Sequence, residues 1–325
     1  MRNTRATALA AWSTRHEDTR TGRRADEVEF RAMKDGTSAL SEALRDEHVD
    51  GSMIEENEVT SSNKYYRKAE VADERTAAVS KELQRRQEQL GKTWPFKLDG
   101  STLRWKGWTK SLIYEFCLAV AEAPNLIKKP YNILPVTFEQ ASLEVLISWL
   151  GSHAEGIRTG WPRERGLPSK ARELFTLVQK KTGGREWRWA PEPHLDQDPS
   201  SRDLKEEKLD LLVWLKMPGA HGHVYFAGQC ACGSDNELET KAKELTVAGL
   251  RKWVKPPSFI PFVKCFFAPH VLPDNRLLDV IGEENATFDR ARLALIGSRM
   301  AGQKAEKLKK KLQSAVELVL SGPKP

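Results

Sequence analysis

The sequence KLDLLVWLKMPGAHGHVYFAGQCACG, residues 208–233, contains two short apolar runs separated by a loop. The runs, residues 209–215 and 223–230, are rich in Val, Leu, Trp, Tyr and Phe, and the loop between them holds one proline and two glycines. Apolar and aromatic runs bounded by Gly and Pro are typical of β-strands joined by a tight connection. This stretch therefore predicts a β-hairpin at the centre of the fold.

Two polar side chains interrupt these apolar runs. Asp210 lies near the start of the first run, and Gln229 lies near the end of the second, next to Cys230. A buried amide without a partner costs roughly 2–7 kcal/mol, and a buried unpaired carboxylate costs more. Such groups need a compensating role, so Asp210 and Gln229 mark a candidate site.

The order of acid, apolar strand, turn, apolar strand and polar residue resembles the metal-binding hairpin of the PD-(D/E)XK nucleases, the restriction-endonuclease-like superfamily. In this resemblance Asp210 matches the family's Asp, Gln229 matches its acidic-or-Gln position, and Cys230 is the spacer. Ala231 stands where the family has Lys, which is a departure. The Gly-Gln-Cys-Ala segment, residues 228–231, is followed by a predicted helix. This arrangement resembles that of a bacterial group of the superfamily with a degenerate motif. The resemblance covers residues 138–267.

The resemblance implies an α/β fold with a restriction-endonuclease-like core, which is a mixed central sheet flanked by helices. It implies a metal-dependent nuclease that hydrolyses DNA phosphodiester bonds with Mg²⁺ or Mn²⁺, in restriction or phage defence, with other proteins of a defence system as partners. The alternative is a catalytically inactive module of the same fold that binds nucleic acid or a partner protein. Ala231 favours that alternative.

The resemblance also implies which groups form the site. Asp210 is the anchoring metal ligand, Gln229 and the backbone carbonyl of Cys230 are further ligands, and Glu139 is supplied by the preceding helix. Glu139 has an alternative role, because an acid near a helix N-terminus stabilises the helix dipole.

The missing lysine is expected from the helix after the hairpin, as Lys241 or Lys243. These two residues are about 200° apart around a helix, so only one can face the site, and Lys241 is favoured.

A basic segment at residues 156–166, GIRTGWPRERG, is the candidate nucleic-acid contact. Arg158, Arg163 and Arg165 can donate to phosphates, and Trp161 can stack on a base. The net charge of +7 agrees with a nucleic-acid partner. The alternative is an ordinary surface loop.

The remaining sequence alternates helical and strand patterns, which indicates an α/β protein. Residues 259–267 are almost wholly apolar and predict a strand adjacent to the hairpin, with a helix at 237–254 packed on the sheet. The other predicted elements are a hairpin at 93–108, helices at 112–123, 138–150 with Thr137 as its cap, 169–182, 275–281 and 303–320, and an unassigned strand or helix at 288–296.

Three segments are expected along the chain. Residues 1–90 are a polar, mainly helical region, residues 91–300 form the α/β domain, and residues 301–325 form a basic C-terminal helix. Within the first segment, residues 1–26 are expected to be frayed or helical only against a partner, and residues 46–63 form an acidic loop. A long helix follows at residues 65–90, in which Arg85 and Arg86 are alternative DNA contacts.

Several other classes of protein are disfavoured. No stretch of about twenty apolar residues and no secretory signal is present, so no membrane span is expected. The four cysteines are scattered through apolar surroundings, which is typical of reduced thiols in the cytoplasm. Cys230-x-Cys232 lacks a second ligand pair for zinc, His221-x-His223 has no acid beside it, and Cys230 has no nearby base to make it a nucleophile.

Overall fold

The computed structural model describes residues 3–41, 61–183, 186–198, 208–219, 222–233, 235–255, 262–282 and 285–322. Within these ranges the fold is mixed α/β, with eleven α-helices and a mixed five-stranded sheet. The helices are α1 Asn3–Asp35, α2 Ser61–Leu90, α3 Ile113–Glu122, α4 Leu134–Leu150, α5 Ala171–Lys181, α6 Pro193–Gln197, α7 Asp235–Glu244, α8 Val247–Arg251, α9 Asp274–Gly282, α10 Arg290–Gly297 and α11 Gln303–Ser321. The strands are β1 Thr37–Ala39, β2 Phe96–Asp99, β3 Thr102–Trp105, β4 Ala154–Arg158, β5 Arg188–Trp189, β6 Leu211–Leu215, β7 Val224–Cys230, β8 Val254–Lys255, β9 Val263–Phe267 and β10 Asn285–Phe288.

The five-stranded sheet has the strand order β10-β9-β7-β6-β4. β6 pairs antiparallel with both β7 and β4, whereas β9 and β10 run parallel to β7. The predicted hairpin and the neighbouring third strand are therefore confirmed. Leu211 lies opposite Gly228, and the N–H of Asp210 donates to the Gly228 carbonyl across 2.9 Å. Asp210 and Gln229 thus lie at the same end of the sheet.

Alternate residues of β6 enter two separate hydrophobic cores. Leu211 and Val213 belong to the core on one face, and Leu212 and Trp214 belong to the core on the other. All four side chains are fully buried. Burial of each such side chain contributes roughly 1.5–3 kcal/mol, which explains why this run is apolar at every position.

Helix α4 begins four residues earlier than the sequence predicts. Pro135 occupies its first turn, and Thr137 donates its hydroxyl to the Ile133 carbonyl within the helix, so Thr137 is not the cap. In the described part of the chain, the segment Tyr131–Leu150 is apolar and long enough to span a membrane by composition alone. Phe138 and other apolar residues of α4 are buried in the core, and 39% of the apolar window is buried.

The expected single helix at residues 237–254 is instead two helices and a short strand. Thr246 has an extended backbone between α7 and α8, and its hydroxyl accepts from the N–H of Gly249 across 2.9 Å. This cap begins a new helix, because a β-branched hydroxyl residue satisfies the first free N–H groups better than it continues a helix. Leu238 and Ala242 still pack α7 against the sheet residue Phe266.

The N-terminal helix α1 is part of the same core as the sheet. Ala25 and Val28 are fully buried, and the first core cluster also contains residues of β6 and α11. The prediction that residues 1–26 are ordered only against a partner is therefore wrong for the part of α1 whose side chains are described. The predicted acidic loop lies outside the described residues at 46–60, and its last residues begin α2.

A buried ion cluster ties α1 to two distant elements. Asp26 accepts from Arg86 Nη1 at 2.6 Å and from Arg290 Nη2 at 2.8 Å, and Glu29 accepts from Arg86 Nη1 at 2.9 Å. Arg86 and Arg290 are fully buried. Arg86 is therefore a structural residue, and its interpretation as a DNA contact is wrong, because no phosphate can reach it.

The other predicted elements keep their positions with small changes at their ends. The hairpin turns at Asp99 and Gly100, between β2 and β3, as predicted. The segment at residues 288–296 is a strand end followed by helix α10, with Asp289 as the cap that accepts from the N–H of Arg292. The division of the chain into three segments stays a prediction.

Candidate functional site

A cleft of about 680 Å³ opens at the end of the sheet where β6 begins and β7 ends. Its lining residues come from the hairpin, α4 and α7, and from α1, α3 and the loop after α3. The charged or polar residues that line it are Arg23, Asp26, Glu122, Asn125, Glu139, Lys208, Asp210, Gln229, Lys241, Glu244 and His270. The cleft therefore gathers residues that are far apart in the sequence.

Asp210 is held at this end of the sheet by both neighbouring strands. Its Oδ2 accepts from the N–H of Cys230 across 2.7 Å. Its backbone carbonyl accepts from the N–H groups of Thr159 and Gly160 across 2.8 and 3.0 Å. These contacts fix the backbone and the carboxylate of Asp210 at the cleft.

Gln229 is 4% exposed, and its two amide atoms differ in their surroundings. Nε2 donates to Glu244 Oε2 across 3.0 Å, and Lys208 Nζ lies 3.4 Å from the same oxygen. Oε1 is buried and has no hydrogen-bond partner among the described residues. Leaving such an acceptor unsatisfied costs about 1–3 kcal/mol, so binding of a ligand at this atom would be favourable.

Glu139 lines the cleft as predicted, but it has a partner that the sequence did not reveal. Arg158 is 1% exposed, and its Nη1 donates to Glu139 Oε2 across 2.6 Å and to the Gly160 carbonyl across 3.1 Å. The prediction that Arg158 binds nucleic acid is therefore wrong. Its guanidinium neutralises a cleft carboxylate, which a buried acid requires.

The Glu139 carboxylate occupies the space where a side chain at residue 160 would lie. A Cβ atom at Gly160 would overlap the Glu139 oxygens and lie 2.9 Å from its Cδ. A larger residue at position 160 would require the Glu139 carboxylate to move, so the backbone at Gly160 and this carboxylate are closely packed.

The other predicted nucleic-acid residues follow β4, which takes up the first part of the segment at 156–166. Trp161 is 41% exposed, and the Arg163 guanidinium carbon lies 6.0 Å from its ring centre. Arg163 also donates to the Thr159 and Pro168 carbonyls, both across 3.0 Å, so it braces the loop. Arg165 is exposed. Trp161 and Arg165 are exposed, so both side chains remain accessible to a nucleic acid, as the predicted contact requires.

Of the two candidate lysines, Lys241 lines the cleft, whereas Lys243 is exposed and is not among the lining residues. The Lys241 ammonium is near enough to Cys232 to oppose the rise that burial causes in the pKa of that thiol. The side chain of Ala231 is fully buried in the small core that contains Phe266 and Leu238. A lysine at residue 231 would therefore enter this core, whereas Lys241 lines the cleft together with two other cationic residues, Lys208 and Arg23.

Thiolate chemistry has no support in the cleft. Burial raises the pKa of Cys230 well above its usual value, and the Asp210 and Glu139 carboxylates add to the rise. Within the described residues, no group of three or more His, Cys, Asp or Glu side chains is placed to hold a metal. The zinc and nucleophile alternatives stay disfavoured. His223 accepts from the N–H of Met217, and His221 lies outside the described residues.

Two carboxyl groups that line the cleft, Asp26 and Glu122, have pKa values shifted in opposite directions. Burial by itself raises the pKa of Asp26, but Arg290 and Arg86 lower it to about 2. Burial raises the pKa of Glu122 to about 8, and the negative charge of Asp26 adds to this rise. A carboxyl group that titrates near neutral pH in a cleft is a feature of functional sites.

Sequence reasoning missed Asp26, Glu122, Lys208 and Glu244 as cleft residues. Glu244 had a detectable signal, because it lies three residues after Lys241 and so shares its helix face. Asp26 and Glu122 had none, because only the tertiary fold brings them to the hairpin. Comparison of the chain with protein-family models, curated proteins and solved structures finds no match.

Proposed function

We propose that this protein is a metal-dependent nuclease that hydrolyses DNA phosphodiester bonds in the cleft at the end of its sheet. The observation that carries the proposal is the buried Gln229 Oε1, which lacks a hydrogen-bond partner among the described residues and belongs to the cleft that Asp210 lines. A carbonyl oxygen without a partner, in the same cleft as a fixed carboxylate, is a suitable ligand for a hard cation.

The donor set fits Mg²⁺ or Mn²⁺. Asp210 would be the charged ligand, Gln229 Oε1 and the Cys230 carbonyl would be neutral ligands, and Glu139 would act directly or through water. All are oxygen donors, and Mg²⁺ is typically bound by one or two carboxylates while it keeps several waters. A bound ion would supply charge neutralisation at the phosphate and a more acidic water.

The protein's own groups have distinct tasks in this proposal. The Cys230 N–H orients the Asp210 carboxylate, and Glu244 turns the Gln229 amide so that its oxygen is left for a ligand. Lys241 provides the cation that holds the attacking water or a phosphate oxygen, which replaces the lysine absent at residue 231. Arg158 holds the Glu139 carboxylate in place through a contact of 2.6 Å.

The proposal is tested by cleavage of plasmid and single-stranded DNA with Mg²⁺ and with Mn²⁺. Lys243→Gln is the matched control for Lys241→Gln, because the two lysines belong to the same helix and only Lys241 lines the cleft. We expect wild type and Lys243→Gln to cut and Lys241→Gln to lose most of its activity. Equal activity of all three proteins would remove Lys241 from the mechanism.

A second candidate function, a nuclease-like module that binds DNA or a partner protein without cutting, is favoured by one contact. Arg158 already neutralises the negative charge of Glu139, which a bound metal ion would otherwise balance. Wild type that binds DNA but never cuts it with either metal would favour this function. The setting in restriction or phage defence rests on the family resemblance, and a cytoplasmic location rests on the four scattered cysteines.

A further inference from the structure

The loop between α3 and α4 forms one wall of the cleft and carries an unusual combination of exposed side chains. Ile127 is 89% exposed, and Lys128 and Lys129 beside it are also exposed. Ile127 and its neighbour Leu126 line the cleft that contains Asp210. An apolar tip flanked by two cations therefore lies at the rim of the proposed catalytic site.

Local hydrogen bonds hold this tip in place. Asn125 Oδ1 accepts from the N–H of Ile127 across 2.9 Å and from the N–H of Lys128 across 3.1 Å. The Lys128 carbonyl accepts from the N–H of Asn132 across 3.1 Å, and Leu126 packs against the main core. The turn is thus built to present Ile127 outward, although exposing this side chain to water is unfavourable.

The two lysines have no ion-pair partner among the described residues. Two other cations at or beside this cleft do pair with carboxylates, since Lys208 pairs with Glu244 and Arg158 pairs with Glu139. Lys128 and Lys129 are therefore suited to an external anion. A nucleic-acid strand offers phosphates to the lysines and the apolar faces of bases to the isoleucine at the same time.

We propose that the loop of residues 124–130 is a substrate-binding element, in which Lys128 and Lys129 contact phosphates and Ile127 packs against or between bases of a nucleic-acid strand entering the cleft. This inference rests on the proposed function, since it takes nucleic acid as the substrate. The loop would take the place of the buried Arg158 as a source of affinity for nucleic acid at the rim of the cleft.

The two kinds of contact are separated by the salt dependence of binding. Each phosphate contact contributes about −0.9 to the slope of log K against log salt for duplex DNA. We expect Lys128→Gln with Lys129→Gln to reduce the magnitude of that slope by about 2. We expect Ile127→Ala to weaken binding at every salt concentration and to leave the slope unchanged.

The experiment measures fluorescence anisotropy of labelled duplex and single-stranded DNA oligonucleotides, with all variants made in full-length protein carrying Asp210→Asn to prevent cutting. Lys180→Gln with Lys181→Gln is the control for the lysine pair, because these exposed lysines end α5, which packs on the other face of the sheet. Leu278→Ala is the control for Ile127→Ala, because Leu278 is 65% exposed and outside the cleft lining.

The cleavage activity of the otherwise unchanged protein is measured in parallel. If it cuts DNA but the loop variants bind like their controls, the loop inference is wrong and the nuclease proposal stands. If it binds DNA through the loop but never cuts, the loop inference stands and the nuclease proposal falls. If it neither binds nor cuts DNA, both are wrong.

Discussion

The side-chain amide of Gln229 donates to Glu244 Oε2 across 3.0 Å, which leaves its own oxygen buried without a partner among the described residues. A carboxylate only accepts hydrogen bonds, so Glu244 decides which amide atom faces it. Lys208 Nζ, 3.4 Å from the same oxygen, keeps Glu244 near a positive charge. Glu244 is therefore a positioning residue for the proposed metal ligand.

Glu244→Gln should weaken binding of Mn²⁺ by about ten- to a hundredfold, the usual effect of changing a group that orients a metal ligand. The new amide can donate as well as accept, so Gln229 is no longer held in one orientation. Metal titration by calorimetry or electron paramagnetic resonance measures the effect without reference to cleavage.

Glu155→Gln is the matched control for this variant. Glu155 also pairs with a lysine, Lys216, across 2.6 Å, but it lies on β4 outside the cleft lining. We expect Glu155→Gln to bind Mn²⁺ like wild type. An unchanged affinity in Glu244→Gln would show that Glu244 does not orient a ligand.

Gly160→Ala should lower the free energy of unfolding by about 1–3 kcal/mol, the range for an added methyl group in a tightly packed site. The new Cβ overlaps the Glu139 carboxylate, which must move away from Arg158. Denaturation in urea measures the change. Gly282→Ala is the control, because nothing lies within 4 Å of the corresponding Cβ, and a similar loss in both variants would contradict the explanation.

Asp26→Asn should destabilise the protein by about 3–5 kcal/mol, because it removes one of the two carboxylates that pair with the buried Arg86 and Arg290 and leaves Glu29 alone to balance two cations. Breaking the exposed pair of Glu155 and Lys216 should cost no more than about 1 kcal/mol. Urea denaturation of Asp26→Asn and Glu155→Gln gives the comparison. Equal losses would mean that the buried cluster does not join α1 to the rest of the core.

The raised pKa of Glu122 predicts that the stability of the protein depends on pH. Its pKa is raised from 4.5 to about 8, so the stability that its protonated form contributes is present below 4.5 and lost as pH rises through about 8. Glu122→Gln has no proton to lose. The melting temperature of the variant minus that of wild type should therefore increase from about pH 5 to about pH 9. A difference that stays constant over this range would contradict the raised pKa.

The sequence was sufficient to predict the hairpin. A strand that is buried on both faces of a sheet is apolar at every position, and Leu211 to Trp214 form such a run. It also placed Asp210 and Gln229 at one end of the sheet, since hairpin pairing follows directly from the turn between the strands. The position of Lys241 followed from helix geometry once the helix was placed after Gly233.

The roles of Arg158 and Asp26 could not be predicted, because their partners are distant in the chain. Arg158 looked like a surface cation beside Trp161, and only the packing of α4 against β4 shows that Glu139 covers it. Asp26 pairs with a residue 264 positions away. The break at Thr246 was visible in principle, since a threonine followed three residues later by a glycine is compatible with a new helix cap.

Cleavage of DNA by wild type and by Asp210→Asn, each with Mg²⁺ and with Mn²⁺, is the decisive measurement. Asparagine keeps the size of the side chain and an oxygen that can accept from the Cys230 N–H, so the fold should persist, as a thermal melt would show. We predict that wild type cuts and that Asp210→Asn, lacking the charged ligand, does not. Cutting by Asp210→Asn at the wild-type rate, or no cutting by wild type with either metal, would contradict a nuclease site at Asp210.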